Sequence, residues 1–224
     1  MRIPRLKIAA LGAVAIVLTM STGAFAIPAL QVYIPGGTYD TGTQTWITGA
    51  DNFTVWVVAS EPLTDVHLTA SIGDGEDPSG GSLDIGGTTY TGGDFTYGLH
   101  PLLPPHGIFP TNWVEKSIGN MTTMTANTIT NFDETYEEGV SPLNSSGQIM
   151  MFDIAITGFN QVHFDAWGYN SRQQFVKAPF SHDAQGGGTA VPEPATLLLF
   201  GLGVGVAGLS RRRKAKNARK AKNV

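Results

Sequence analysis

Alternation of apolar and polar residues, in short runs cut off by glycine-rich breaks, is the feature that most constrains what this chain can fold into. Within residues 65–72, Val66, Leu68, Ala70 and Ile72 fall on one side while His67, Thr69 and Ser71 fall on the other, because successive strand side chains leave opposite faces. Residues 53–59 (Phe-Thr-Val-Trp-Val-Val-Ala) are almost continuously apolar, the pattern of a strand covered on both faces. Residues 148–157 and 161–169 give two more strands, and Gly158-Phe159-Asn160 between them reads as a hairpin turn. Residues 83–90 read as a second hairpin, with Gly86-Gly87 at its turn. The Thr-rich stretch 121–130 suits a half-exposed edge strand. Residues 30–34 and 43–48 bring the expectation to roughly eight to ten short strands. No window outside the termini has a helical period, and no internal repeat is present. The class is therefore all-β, a single β-sandwich of jelly-roll-like type over residues 27–184, with Trp46, Trp56, Trp113 and Trp167 as core candidates.

Both ends read differently. Arg2, Arg5 and Lys7 precede an uncharged apolar run over 8–20, and Ala24-Phe25-Ala26 supplies small residues around a cleavage point. Together these predict a signal peptide over 1–26 and a mature chain starting at Ile27, which requires a secretion machinery and a signal peptidase as partners. At the other end, residues 185–190 (Gln-Gly-Gly-Gly-Thr-Ala) read as a flexible linker. Pro192, Glu193 and Pro194 follow, then an apolar stretch over 195–210, then Arg211, Arg212 and Arg213 and a basic tail over 214–224. The prolines keep the tripeptide extended. As a helix, 195–210 spans roughly 24 Å, short against a bilayer core of about 30 Å. The arginines mark its cytoplasmic side.

The formal net charge of −4 hides a division along the chain. Between Asp40 and Asp183 only Lys116, Arg172 and Lys177 oppose seventeen carboxylates, a net charge of −14. Such a surface repels nucleic acid and anionic polymers unless cations bridge the contact. There is no cysteine, so disulfides, thiol catalysis and cysteine-based metal sites are excluded.

No sequence motif declares a catalyst. The histidines His67, His100, His106, His163 and His182 form no helical i, i+4 pair, and no nucleophile elbow or phosphate loop occurs. His163 and Asp165 share one face of a predicted strand, where they can pair or share a ligand; on a solvent face they read as an ordinary exposed pair. Asp133-Glu134 and Glu137-Glu138 flank Tyr136 in an acidic loop, and carboxylates run glycoside hydrolysis only when they face each other across a cleft. The metal candidate is the Gly-rich segment carrying Asp74, Glu76 and Asp77, with Asp84 close behind. Clustered hard oxygens suit calcium, although the spacing is not that of an EF-hand. Otherwise it is a solvated loop between strands, and no cofactor is expected.

The order Pro-Glu-Pro (192–194), short Gly/Leu-rich span, Arg cluster (211–213) resembles the PEP-CTERM sorting signal, covering residues 191–213. The resemblance implies that Pro192, Glu193 and Pro194 are recognised by exosortase, a membrane transpeptidase that removes the tail. It also implies a Gram-negative-type host that makes exopolysaccharide. The stretches 38–40, 45–46, 106–111, 163–165 and 178–184 are similar to the choice-of-anchor N family, which implies one ectodomain on a detachable anchor and no enzymatic activity. Gly107 and Pro110 are expected to set a turn that places His106 and Phe109 against the sandwich. The expectation is a non-enzymatic surface or matrix protein associated with exopolysaccharide or biofilm, anchored transiently in the membrane. The alternatives are a carbohydrate-binding or carbohydrate-active module at the cell surface, and an inner-membrane protein whose tail is never removed.

Overall fold

The computed structural model describes residues 27–105, 108–137 and 145–187. The chain there is all-β and forms two sheets. The first runs in the order β1 (Leu30–Tyr33), β4 (Asn52–Ala59), β11 (Ser145–Thr157), β6 (Ser82–Ile85), β7 (Thr88–Thr91), with β10 (Asn127–Ile129) also paired to β11. The second runs β2 (Thr38–Asp40), β3 (Thr45–Ile47), β14 (Asp183–Gly186), β12 (Val162–Asn170), β5 (Leu63–Ile72), β9 (Thr111–Met121), β8 (Thr96–Gly98), with β13 (Phe175–Lys177) on β12. Among the strand pairings of the described residues, only that of β14 with β3 is parallel.

One apolar core lies between the sheets. Leu30, Val55, Leu83 and Ile154 from the first meet Leu68, Ala70, Ile72, Phe164 and Ala166 from the second. The alternation in β5 places its apolar residues as expected, and β4 lies between β1 and β11 with Val55, Val57, Val58 and Ala59 buried. The β6–β7 hairpin turns at Gly86 and Gly87, whose φ values of 54° and 78° fit a primed two-residue turn.

Three expectations change. Gly158-Phe159-Asn160 is not a hairpin turn, because β11 belongs to the first sheet and β12 to the second. The link is an arch across the core, pinned by the buried ring of Phe159. Residues 121–130 are not one strand: β9 ends at Met121 and β10 begins at Asn127. The linker starts later than expected, since Gln185 and Gly186 belong to β14. Gly186 is there for close approach: a Cβ on it would stand 2.0 Å from Phe53 Cζ.

The outer face of the second sheet is covered as well. Leu103 and Phe109, from the segment after β8, pack on Trp167 with Trp113 and Tyr169 beside them. Phe109 thus reaches the sheet as the sequence suggested, whereas His106 and Gly107 lie outside the described residues. This cover turns the polar face of β5 and β12 into an interior.

Candidate functional site

Side chains of residues directly opposite in neighbouring strands emerge on the same face. On the covered face His163 therefore stands beside Ser71, Asp165 beside Thr69 and Trp167 beside His67, and the pairing continues to Trp113 and Glu115 on β9. On the other side of β12, Phe164 pairs with Ala184, which brings Asp183 alongside Asp165. The face holds a continuous polar array that divides into two clusters.

In the first, His163 Nε2 is 3.7 Å from Asp165 Oδ2 and 3.6 Å from Asp183 Oδ2. All three residues are buried, at 4%, 3% and 1% exposure respectively, so the expected exposed pair is instead an interior one. Burial alone would push the imidazolium down, but hydrogen bonding and charge from Asp165 and Asp183 outweigh it and hold His163 up to about 9. A cavity of about 700 Å³ opens on this cluster, lined by His163 and Asp183 together with Gln44, Thr45, Gln161 and Gln185. Donor atoms of His163, Asp165 and Asp183 all lie within 4.8 Å of one another, a grouping able to hold a metal ion.

The second cluster centres on Glu115. Its carboxylate accepts from Trp167 Nε1 at 3.0 Å and pairs with His100 Nε2 at 3.0 Å and His67 Nδ1 at 2.8 Å. His100 Nδ1 accepts the backbone N–H groups of Leu102 and Leu103, which fixes its Nε2–H toward Glu115. His67 stacks on Trp167 with ring centroids 4.2 Å apart. Asp65 reaches His67 Nε2 at 2.9 Å from a residue with φ of 50°, where the β5 register shifts. Burial works to raise Glu115; the His100 hydrogen bond, His67 charge and Trp167 N–H outweigh it and hold the carboxyl below its ordinary value. The Glu115 carboxylate thus ties β9 to His67 of β5, Trp167 of β12 and His100 of the segment after β8, and this cluster fastens the cover to the sheet.

A hydroxyl–imidazole–amide chain lies elsewhere. Ser181 Oγ is 2.8 Å from His182 Nδ1, and His182 Nε2 is 2.7 Å from Asn131 Oδ1. Burial pushes His182 down to about 4, with Asp133 opposing. The neutral ring then accepts from Ser181 and donates to Asn131. A base that weak is poorly matched to proton abstraction near neutral pH. The chain reads as a clasp between the turn before β14 and the 131–135 loop, where Tyr136 packs into the Tyr33, Trp46 and Phe132 ring cluster.

The four carboxylates expected to hold calcium are each engaged locally or apart. Asp77 accepts from Ser79 N and Oγ, Asp84 from Gly87 N and Thr89 Oγ1, and Glu76 from the backbone N–H of Asn160; Asp74 is exposed. Among the described residues these four do not form a three-donor cluster of the kind His163 makes. The signal in the sequence for the observed cluster was the i, i+2 spacing of His163 and Asp165; nothing local pointed to Asp183 or Glu115. The residues Ala24 and Ala26 of the predicted cleavage site, the sorting residues Pro192, Glu193, Pro194, Arg211, Arg212 and Arg213, and the predicted helix over 195–210 lie outside the described residues. Ile27 is described and packs against the core. No helix among the described residues is long and apolar enough to cross a membrane.

No curated protein matches the chain. The tail carries the identification: residues 190–214 match the PEP-CTERM protein-sorting motif, which implies an exported protein sorted at the membrane by exosortase.

Proposed function

We propose that the mature chain is a non-enzymatic cell-surface or matrix protein, released from the membrane by exosortase and associated with exopolysaccharide or biofilm. The observation that carries this reading is the sorting motif over 190–214 behind a single all-β domain. Export through a cleaved signal peptide, a jelly-roll connection of the two sheets and a final place at the surface or outer membrane of a Gram-negative-type cell all belong to the same reading. So does the resemblance to choice-of-anchor ectodomains. The net charge of −14 between Asp40 and Asp183 favours contact with neutral sugars, or with acidic ones through bridging cations.

The cavity beside His163 supports a second reading, a carbohydrate-binding module. Its walls bring together the amides of Gln44, Gln161 and Gln185 and the ring of Phe180, the mixture of amide donors and apolar surface that sugar hydroxyls and faces use. The enzymatic version is less well supported, because Asp165 and Asp183 are both drawn to one imidazole rather than set across a cleft.

The test is the intact mass of the protein recovered from its native envelope or culture fluid. A product beginning at Ile27 and ending near Pro192–Pro194 is the expected result. A product that keeps Arg211–Val224 overturns exosortase release and leaves a tail-anchored inner-membrane protein.

A further inference from the structure

We propose that His163, Asp165 and Asp183 bind a divalent first-row transition cation, of the zinc or manganese kind, at a site that opens into the adjoining cavity. The first argument is spacing. The imidazole nitrogen stands 3.7 and 3.6 Å from the two carboxylate oxygens, longer than the roughly 2.7–3.2 Å of a good hydrogen bond. With metal–ligand bonds of about 2.0–2.2 Å, two ligands of a tetrahedral centre stand about 3.4 Å apart. The three donor atoms thus stand close enough together to share one ion.

The second argument is independent of the three ligands. Ser71 and Thr69 lie directly beside His163 and Asp165 on the same face, and both are buried, at 1% and 0% exposure. Neither hydroxyl has a hydrogen-bond partner among the described residues. A buried hydroxyl without a partner is costly, and two of them beside His163 and Asp165 mark a place for a ligand's oxygen or hydrogen atoms. Waters bound to an ion held by His163 and the two aspartates meet that need.

The third argument is chemical. Calcium and magnesium take oxygen ligands almost exclusively, whereas one imidazole with two carboxylates suits zinc or manganese. A divalent ion offsets the charge of both carboxylates and takes the place of the imidazole proton. Three protein ligands leave at least one coordination position open. Because His163 and Asp183 line the cavity, that position is reachable by water or by an oxygen of a small ligand.

The experiment uses the full-length chain without an affinity tag, purified in detergent, stripped with chelator and dialysed against zinc, manganese or calcium chloride, with bound metal counted per chain. The expected result is one zinc or manganese per chain, bound at least tenfold more weakly in Asp183→Asn and unchanged in Asp77→Asn and Asp84→Asn. No stoichiometric zinc or manganese uptake, or uptake indifferent to Asp183→Asn, overturns the proposal. Uptake lost only in Asp77→Asn or Asp84→Asn overturns it as well. Should Asp183→Asn fail to fold, imidazole resonances of the histidine-labelled wild-type chain replace it. Zinc must then move the His163 resonance and leave that of His182; a spectrum in which His163 does not respond overturns the assignment.

Discussion

His163 and His182 lie nineteen residues apart, both 4% exposed, and the protein holds them in opposite states. Burial is the largest influence on each ring, and for both it disfavours the imidazolium. What separates them is the company. His163 faces two carboxylates and is held up to about 9, whereas His182 faces a hydroxyl and an amide and is pushed down to about 4. Depth therefore does not decide the charge of a buried histidine; the partners do. The first environment is one a cation can take over, and the second is a neutral clasp.

The largest expected effect tests this contrast by deletion. In chelator, His163→Ala removes a positive partner shared by two buried aspartates and is expected to destabilise the fold by about 3–5 kcal/mol. His182→Ala loses neutral hydrogen bonds and costs about 1–3 kcal/mol. Urea unfolding at pH 7 measures both, and equal losses would break the comparison.

The pH dependence should show two limbs of opposite sign in the metal-free protein. The folded pKa of His182 is depressed, so its contribution is complete above the unfolded value of about 6.5 and is lost as pH falls toward about 4. The loss on that limb is about 3 kcal/mol. The folded pKa of His163 is raised, so its contribution is complete below the unfolded value of about 6.5 and is lost as pH rises through about 9. Denaturation midpoints from pH 4 to 10 should trace a maximum near the ordinary histidine range. His182→Phe should flatten the acid limb alone; if it flattens the alkaline limb instead, the assignment of the two rings is reversed.

Smaller changes sharpen the picture. Ser181→Ala removes one neutral partner of His182 and is expected to cost about 1 kcal/mol, read as a shift in urea midpoint. Thr69→Val replaces a buried, unpartnered hydroxyl with a methyl of the same shape. In metal-free protein it should be neutral or stabilising by up to about 1 kcal/mol. A clear loss of stability on that substitution would mean that Thr69 has a partner.

Much of the fold was legible along the chain because strand identity is a local property. The alternation over 65–72 marks β5, and Gly86-Gly87 marks the β6–β7 turn. Pairing is not local. The segment 158–160 carries a turn's composition, yet the chain crosses there from one sheet to the other, and β11 and β12 contribute apolar residues to the core from opposite sides. Gly186 has the composition of a linker and the role of a packing contact with Phe53.

The candidate site divides in the same way. His163 and Asp165 at i, i+2 are visible as neighbours on one strand face, but an exposed reading follows from taking the polar face of a strand as its solvent face. Phe109 and Leu103 cover that face from another part of the chain, and β14 brings Asp183 to it.

By itself the sequence determined the all-β class, the acidic exported domain and the sorting motif over 190–214, because periodicity, composition and a linear recognition signal are written in consecutive residues. Only the tertiary structure decided which polar residues are interior, which histidine is held charged and which three side chains converge beside a cavity. Those outcomes depend on strand pairing and on a covering segment, where residues remote in the chain meet and exclude water together.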